Sequence, residues 1–511
     1  MKDESATLPW GAPSSTFALQ SAGIPALHVL LLIFIFNFTL QPLTEPDFGW
    51  HLRAGLDMLD HGGRVPPTDP YSHTMPDWHW VEHAWLTDII VAILYRSFGG
   101  MSVILLFGVL SAAAWLIAGA TASASTTARL VASVFSLWVA LPYLGARTQL
   151  VSLLGLALML LVAIHARDKW TWSIPALFVF WANLHGGFTA GLFYLGLIAV
   201  GGWLITTMSV RWPAWFANPD ESVLSREDLI RIAGVIAASL AVTFVNPYGW
   251  RLHVEILDSL SNDFMLATLR EWQPLSLDSA AGRRYALYLM VLSVAMALWY
   301  RRFQPRRWIV LSVFLLLSFR HMRNIPIFLI MSLPLSAELV QAAYDSLSSR
   351  LRFLTRKEWT VTAVAGTALL LAWLGPDHLQ HVLRSGIEPA KYFRDTSYPI
   401  EGIEWIKRHR EVIGTKMYND YRDGGFLLWW LPEQKIFIDG RMPAWEIGER
   451  KIFRDYVAVA ESDAPALTVL EKYGVDWALV RYDSALDRGL DGQPKWTRAY
   501  RDGKVSLYVR K

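Results

Sequence analysis

Apolar runs of about 18 to 22 residues follow one another along most of the chain, separated by short polar stretches, until about residue 376. Each is long enough to cross ~30 Å of hydrocarbon as a helix. They lie at 24–43, 101–121, 128–145, 148–165, 187–208, 228–245, 285–300, 324–342 and 359–376, with two shorter runs at 171–184 and 307–320. The pattern predicts a polytopic α-helical membrane protein with about eleven transmembrane helices. Trp85–Phe98 (WLTDIIVAILYRSF) carries Asp88 and Arg96 and is too short and too amphipathic for a span. It reads as a helix lying on the membrane surface.

Beyond residue 376 apolar runs shorten and charges become frequent, so 377–511 reads as a soluble α/β domain. Strands are expected at Lys416–Tyr418, Lys435–Asp439 and Trp477–Arg481, with a closing hairpin, WTRAYRDGKVSLYV, turning at Asp502-Gly503. Helices are expected at Ile400–Arg408, Glu446–Val459 and Ala464–Tyr473. The expected organisation is a tail at 1–23, a transmembrane domain at 24–376 with a first outer loop at 44–100, and the soluble domain at 377–511.

Composition agrees with this layout. Of 511 residues, 53% are hydrophobic and only 18% charged, which excludes an ordinary soluble enzyme and a disordered chain. The absence of Cys excludes thiolate metal sites and thiol nucleophiles. A net charge of +3 is too small an excess to suggest a nucleic-acid footprint, so the position of the basic residues matters more than their sum. With the N-terminus inside, the inner loops collect Arg167, Lys169, Arg211, Arg226, Arg301, Arg302, Arg306, Arg307, Arg350, Arg352, Arg356 and Lys357. Counting Trp85–Phe98 as a span would reverse that bias. The expectation is therefore a multi-pass protein of the cytoplasmic (inner) membrane, with a cytoplasmic N-terminus and an extracytoplasmic C-terminal domain. The first apolar run lacks a small-residue cleavage pattern and reads as an uncleaved anchor.

On that topology the unusual polar clusters fall on the outer face. In TEPDFGWHLRAGLDMLDHGG, Glu45 and Asp47 flank Pro46 where a span ends and a helix over Asp47–His61 begins. Asp47 is a candidate helix cap, a general base toward a hydroxyl, or with Glu45 a ligand pair for a hard divalent cation. His51 stands four residues on, with Trp50 beside it. The stretch DWHWVEHAW brings Glu82 and His83 among Trp residues, as an interfacial aromatic belt or a sugar subsite would. WANLHGG offers His185 in a tight turn, and REWQP offers Glu271.

RHMRN sets Arg320, His321 and Arg323 in an outer turn, where Arg is least expected and where its fork suits phosphate oxygens. In the soluble domain, NDYRDGG and FIDGR place Asp420, Tyr421, Asp439 and Arg441 at expected strand ends, where open α/β sheets bind ligands. Phosphate-loop, dinucleotide, H-E-x-x-H and G-x-S-x-G signatures are absent from the sequence.

This layout, with EPDFGWHLR as an acidic first-loop motif, resembles the GT-C superfamily of integral-membrane glycosyltransferases. That group includes oligosaccharyltransferases, protein O-mannosyltransferases and bacterial aminoarabinose transferases. Glu45 and Asp47 match its E-x-D form, and NDYRDGG with FIDGR is loosely similar to the oligosaccharyltransferase tail region. The WWDYG motif of oligosaccharyltransferases is not present; Trp429-Trp430 follow the Asp-Tyr pair instead.

The resemblance implies transfer of a sugar from a polyprenyl-phosphate or pyrophosphate donor, with inversion, outside the membrane. The acceptor would be a hydroxyl or amide on a glycan, lipid or protein, and membrane lipids would be the surrounding partners, with no nucleic acid involved. Asp47, Glu45 and His51 become the catalytic candidates, and Arg320, Arg323 and His321 the donor-phosphate candidates. Trp50, Glu82, His83, His185, Glu271, Asp420, Tyr421, Asp439 and Arg441 are candidates for sugar or acceptor. Glu45 and Asp47 are candidates for Mg2+ or Mn2+. Competing readings are an inactive scaffold of envelope-polysaccharide assembly and a lipid or solute transporter, the latter wanting ionisable residues at mid-membrane.

Overall fold

The structure, a computed structural model, describes residues 23–165, 170–211, 225–299, 305–350, 356–461 and 463–511. The expected N-terminal tail up to residue 22, and Arg167, Lys169, Arg301, Arg302 and Arg352 of the expected inner loops, lie outside the described residues.

Each apolar run coincides with a helix, from Gly23–Thr39 through Gly100–Ala120, Thr126–Ala140 and Gln149–His165 to Ile325–Arg350 and Arg356–Ile387. Among the described residues, Gly100–Ala120, Phe188–Arg211, Ala280–Trp299 and Met322–Ser348 are long and apolar enough to cross a membrane by length and composition. The last helix runs through the expected boundary at 377 without a break. The compositional shift there does not coincide with the end of an element.

Two hydrophobic cores organise the chain. One lies among the apolar helices; the other joins the C-terminal region to the first loop through Trp50, Ala54, Met58, Tyr71, Met75 and Trp80. The helix Phe48–Asp60 serves both, because Phe48 and Leu52 face the first core while Trp50, Ala54 and Met58 face the second. Two glycines allow it to sit that deeply. A Cβ on Gly55 would fall 2.0 Å from the Asp88 carbonyl oxygen of the helix Trp85–Phe98, and one on Gly49 would fall 2.0 Å from that of Gly425.

The C-terminal sheet has the order β1-β4-β6-β5, from Met417–Asn419 (β1), Trp477–Arg481 (β4), Trp496–Arg501 (β5) and Val505–Arg510 (β6). β1 pairs parallel to β4, and the other pairs are antiparallel. Two expectations fail here. Residues 435–439 form no strand; Ile436 makes an isolated parallel bridge to Ser72. Their backbone is satisfied by the first loop, with Ile436 N donating to Tyr71 O at 3.0 Å and His73 N to Ile436 O at 3.1 Å, and by the Asn419 side chain, which bonds Phe437 N and Ile438 O. The helix expected from Glu446 begins at Ile452, because Glu446–Ile447 (β2) and Arg450–Lys451 (β3) form a small hairpin that turns at Gly448 with φ +56°.

Candidate active site

The acidic motif, both tail-domain turns and Arg323 of RHMRN converge. Asp47 precedes the helix Phe48–Asp60, but its side chain makes no capping bond. Its carboxylate instead lies against the backbone of Gly440 in FIDGR, where an added Cβ would come 1.9 Å from Oδ1. On the other side, a Cβ on Gly425 of NDYRDGG would meet the Pro46 carbonyl at 2.3 Å. Tyr398 Oη donates to Thr44 O at 2.9 Å, tying the same turn to the tail domain. Backbone approaches this close explain the Asp-Gly sequences better than turn formation alone.

Three acids and two arginines surround this point. Glu45 is ion-paired with Arg147, and Glu271 is paired with Arg323 at 3.2 Å. Arg323 also lies over the Trp272 ring, 4.1 Å from its centroid. Glu271 acts electrostatically on Glu45, Asp47 and Arg147 alike, so the two pairs share one neighbourhood. Burial and the nearby Glu45 charge raise the Asp47 carboxyl to about 6. Burial also raises Glu45, against the opposing pull of Arg147. Asp47 is thus a carboxylate without a paired arginine, and a stronger base than an exposed aspartate.

The other candidates divide by partner. Arg320 is exposed in the last turn of Pro305–Arg320, apart from these pairs. His321 Nδ1 bonds the Trp272 carbonyl at 2.5 Å and steadies the Glu271 segment. Trp50 is buried and stacked on His51, 3.5 Å between centroids. His51 Nδ1 lies 2.7 Å from Asp88 Oδ1, and Glu82 is buried close by. His83 packs edge-on to His185, 5.5 Å between centroids, and His185 Nδ1 bonds Ser152 Oγ at 2.7 Å. Burial pushes His83 down to about 3, so it is neutral at physiological pH. Asp420 receives Tyr456 Oη at 3.0 Å and the Arg422 amide at 3.0 Å, and Tyr421 packs on Phe453 and Tyr456 within the field of Asp47.

Asp439 and Arg441, expected to meet sugar or acceptor, are occupied by one another and by Asp69. Arg441 Nη1 bonds Asp69 Oδ1 at 2.7 Å, and Nε bonds Asp439 Oδ2 at 2.9 Å. All three side chains are 0 to 2% exposed, and Arg441 lies over the rings of Tyr71, Trp80 and Trp445. They hold the FIDGR turn on the first loop; burial leaves no face for a ligand.

Sequence reasoning missed Arg147, Asp69 and Asp88. Arg147 carried the signal that selected Arg323, an arginine in a short expected outer turn. Asp88 has the pattern of the wet face of an amphipathic helix, and Asp69 stands before a proline in Thr68-Asp69-Pro70, a sequence that favours a turn.

The pair expected to hold Mg2+ or Mn2+ does not offer a suitable ligand set. Glu45 is engaged by Arg147, and Asp47 abuts Gly440. Among the described residues, the group of His and carboxylates able to hold a metal ion is His51, Glu82 and Asp88, whose ligand atoms all lie within 4.8 Å of one another.

No protein-family model matches the chain, and no curated protein matches its sequence. Solved structures do match. The Archaeoglobus fulgidus oligosaccharyltransferase tethered to an acceptor peptide is 12% identical, with a TM-score of 0.52 over 96% of this chain and 74% of that one. Archaeal AglB from the same organism, in complex with an inhibitory peptide and a dolichol-phosphate, is 13% identical over 90% and 69%, with a TM-score of 0.52. ArnT from Cupriavidus metallidurans is 16% identical over 96% and 98%, with a TM-score of 0.51. The chain shares its fold with these oligosaccharyltransferase and ArnT structures.

Proposed function

We propose that this protein is a membrane glycosyltransferase that moves a sugar from a polyprenyl-phosphate donor to an acceptor on the outer face of the membrane. The observation that carries the reading is the meeting of unpaired Asp47 with Arg147 and Arg323 at the junction of the first loop, the outer turn and the tail domain. The reading draws support from the fold it shares with AglB, whose structure holds a dolichol-phosphate, and with an oligosaccharyltransferase tethered to an acceptor peptide.

In the proposed reaction Asp47 takes the proton of the acceptor hydroxyl, and the acceptor oxygen forms a bond to the anomeric carbon. The bond from that carbon to the phosphate oxygen breaks with inversion, and the lipid phosphate departs with the electron pair. Arg323 and Arg147 receive its charge, a task that a partly desolvated site strengthens. The exposed Arg323–Glu271 pair is of the weak, exchangeable kind, so an incoming phosphate can take the place of Glu271.

The test is transfer from a panel of radiolabelled polyprenyl-phosphate sugars by the purified protein in detergent, with and without EDTA. Asp47→Asn should lower turnover by roughly 10²–10⁴-fold while thermal unfolding stays at or above that of the wild type. Full activity in a folded Asp47→Asn protein rejects the mechanism, and solute accumulation in proteoliposomes without glycan formation favours a transporter.

A further inference from the structure

Three buried side chains meet one helical turn beyond Asp47: His51 of the helix Phe48–Asp60, Glu82 of the segment before the surface helix, and Asp88 of Trp85–Phe98. His51 is 6% exposed, Glu82 1% and Asp88 0%. Part of their bonding capacity is met, since Asp88 Oδ1 contacts His51 Nδ1 at 2.7 Å and Glu82 Oε1 accepts the Ala84 amide at 2.9 Å. The second oxygen of each acid, Glu82 Oε2 and Asp88 Oδ2, is buried with no hydrogen-bond partner.

Neither the doubly ionised nor the doubly protonated pair resolves this. Ionised, the two carboxylates would place two negative charges in a site where, among the described residues, the ion pair formed is His51 with Asp88. Protonated on the free oxygens, they would present buried O–H donors with nothing to receive them. A divalent cation answers both problems, because its charge balances two carboxylates and its coordination takes up the vacant lone pairs.

We infer that His51, Glu82 and Asp88 together hold one divalent cation of the zinc and manganese class, which braces the first-loop helix against the surface helix. One imidazole nitrogen with two carboxylate oxygens is a borderline donor set that suits Zn2+ or Mn2+. The hard, oxygen-only preference of Ca2+ and Mg2+ is poorly met. The elements are already held close, with Gly55 of one helix against the Asp88 carbonyl of the other, so the ligands come from a rigid crossing. The cation would fix the direction of the helix whose first turn follows Asp47, without itself touching the transferred sugar. This inference is independent of the proposed transfer reaction, because its readouts are metal content and unfolding.

The full-length protein, purified in detergent without chelator and freed of any affinity tag, should carry about one equivalent of zinc or manganese by elemental analysis. After stripping with EDTA, added Zn2+ or Mn2+ should raise the unfolding temperature of the wild type by a few degrees. The Glu82→Gln/Asp88→Asn double variant should bind no such metal and show no such shift. A wild type that retains no metal and does not respond to a hundredfold excess of Zn2+ or Mn2+ overturns the inference, as does equal metal binding by the folded double variant. Should the double variant fail to fold, X-ray absorption at the metal edge of the wild type decides: one imidazole ligand supports the site, and two or more reject it.

Discussion

Two sets of carboxylates and arginine lie on either side of Asp47 and behave in opposite ways. In one, Arg147 and Arg323 pair with Glu45 and Glu271; the Arg147 and Glu45 side chains are 29 and 12% exposed, those of Arg323 and Glu271 30 and 48%. In the other, Arg441 is enclosed by Asp69 and Asp439, stacked among three aromatic rings and 2% exposed. Both sets join arginine to carboxylates, and both adjoin one turn of chain. Solvent decides their use, since a pair with water beside it can exchange a carboxylate for a phosphate, whereas a pair without water can only be kept or broken.

The strongest way to break this contrast is to remove Arg441. Arg441→Ala leaves two carboxylates buried and unpaired, which typically costs about 3–5 kcal/mol. The FIDGR turn should lose its seat on the first loop, and unfolding of the variant in detergent should come at a markedly lower temperature. Arg323→Ala, under the same measurement, should unfold close to the wild type. If both variants lose stability equally, the distinction between a holding arginine and a ligand-binding arginine fails.

Gly440→Ala tests whether the holding set also positions the reacting one. The new Cβ would come 1.9 Å from Asp47 Oδ1, so either the carboxylate or the turn must move. A displacement on the order of 1 Å can cost about 10²-fold in rate. The expected result is a fall in kcat of that order with a much smaller change in KM. Unchanged kcat would mean that the turn only happens to lie beside Asp47.

How much of this was legible in the sequence follows from the range of the contacts. Glu45 and Asp47 could be picked out because two acids around a proline at the end of an apolar run are a local anomaly, and Arg323 because charge placement is read loop by loop. The apolar helices and β4 follow from periodicity within one element. Residues 435–439 have the apolar pattern of a strand, but their hydrogen bonds go to Tyr71 and His73, more than 300 positions earlier, and to the Asn419 side chain, so no local pattern could exclude a ladder. Asp88 has the spacing of a solvated face and becomes buried only because Gly55 lets another helix lie over it.

The pH response separates Asp47 from ordinary surface acids. A raised carboxyl pKa means that the group keeps its proton to higher pH, and a base works only once that proton has gone. Turnover should therefore rise with pH through about 6 and level off above it, the midpoint lying above the usual 3.8 because burial and Glu45 both favour the neutral acid. By linkage, the same shift makes the native state hold more protons than the unfolded one between 3.8 and about 6, so the Asp47 contribution to stability declines as pH rises across that window. The pH–rate profile of kcat/KM on the free enzyme reads the limb directly. A limb at 4 would place Asp47 in water and leave it no stronger as a base than any surface aspartate.

The smallest effect expected is also the one with an unusual sign. Glu271→Gln keeps the shape of the residue but removes the charge that occupies Arg323, 3.2 Å away. An exposed pair of this kind contributes about 0.2–1 kcal/mol, so stability should hardly change. If a donor phosphate has to displace Glu271, removing that competitor should lower KM for the lipid donor by about two- to fivefold, with kcat little altered. Raised ionic strength should shrink the difference between variant and wild type, because salt screens an exposed pair. A higher KM in the variant would instead mean that Glu271 itself contacts the sugar, and would move it from competitor to ligand on the exposed side of the comparison.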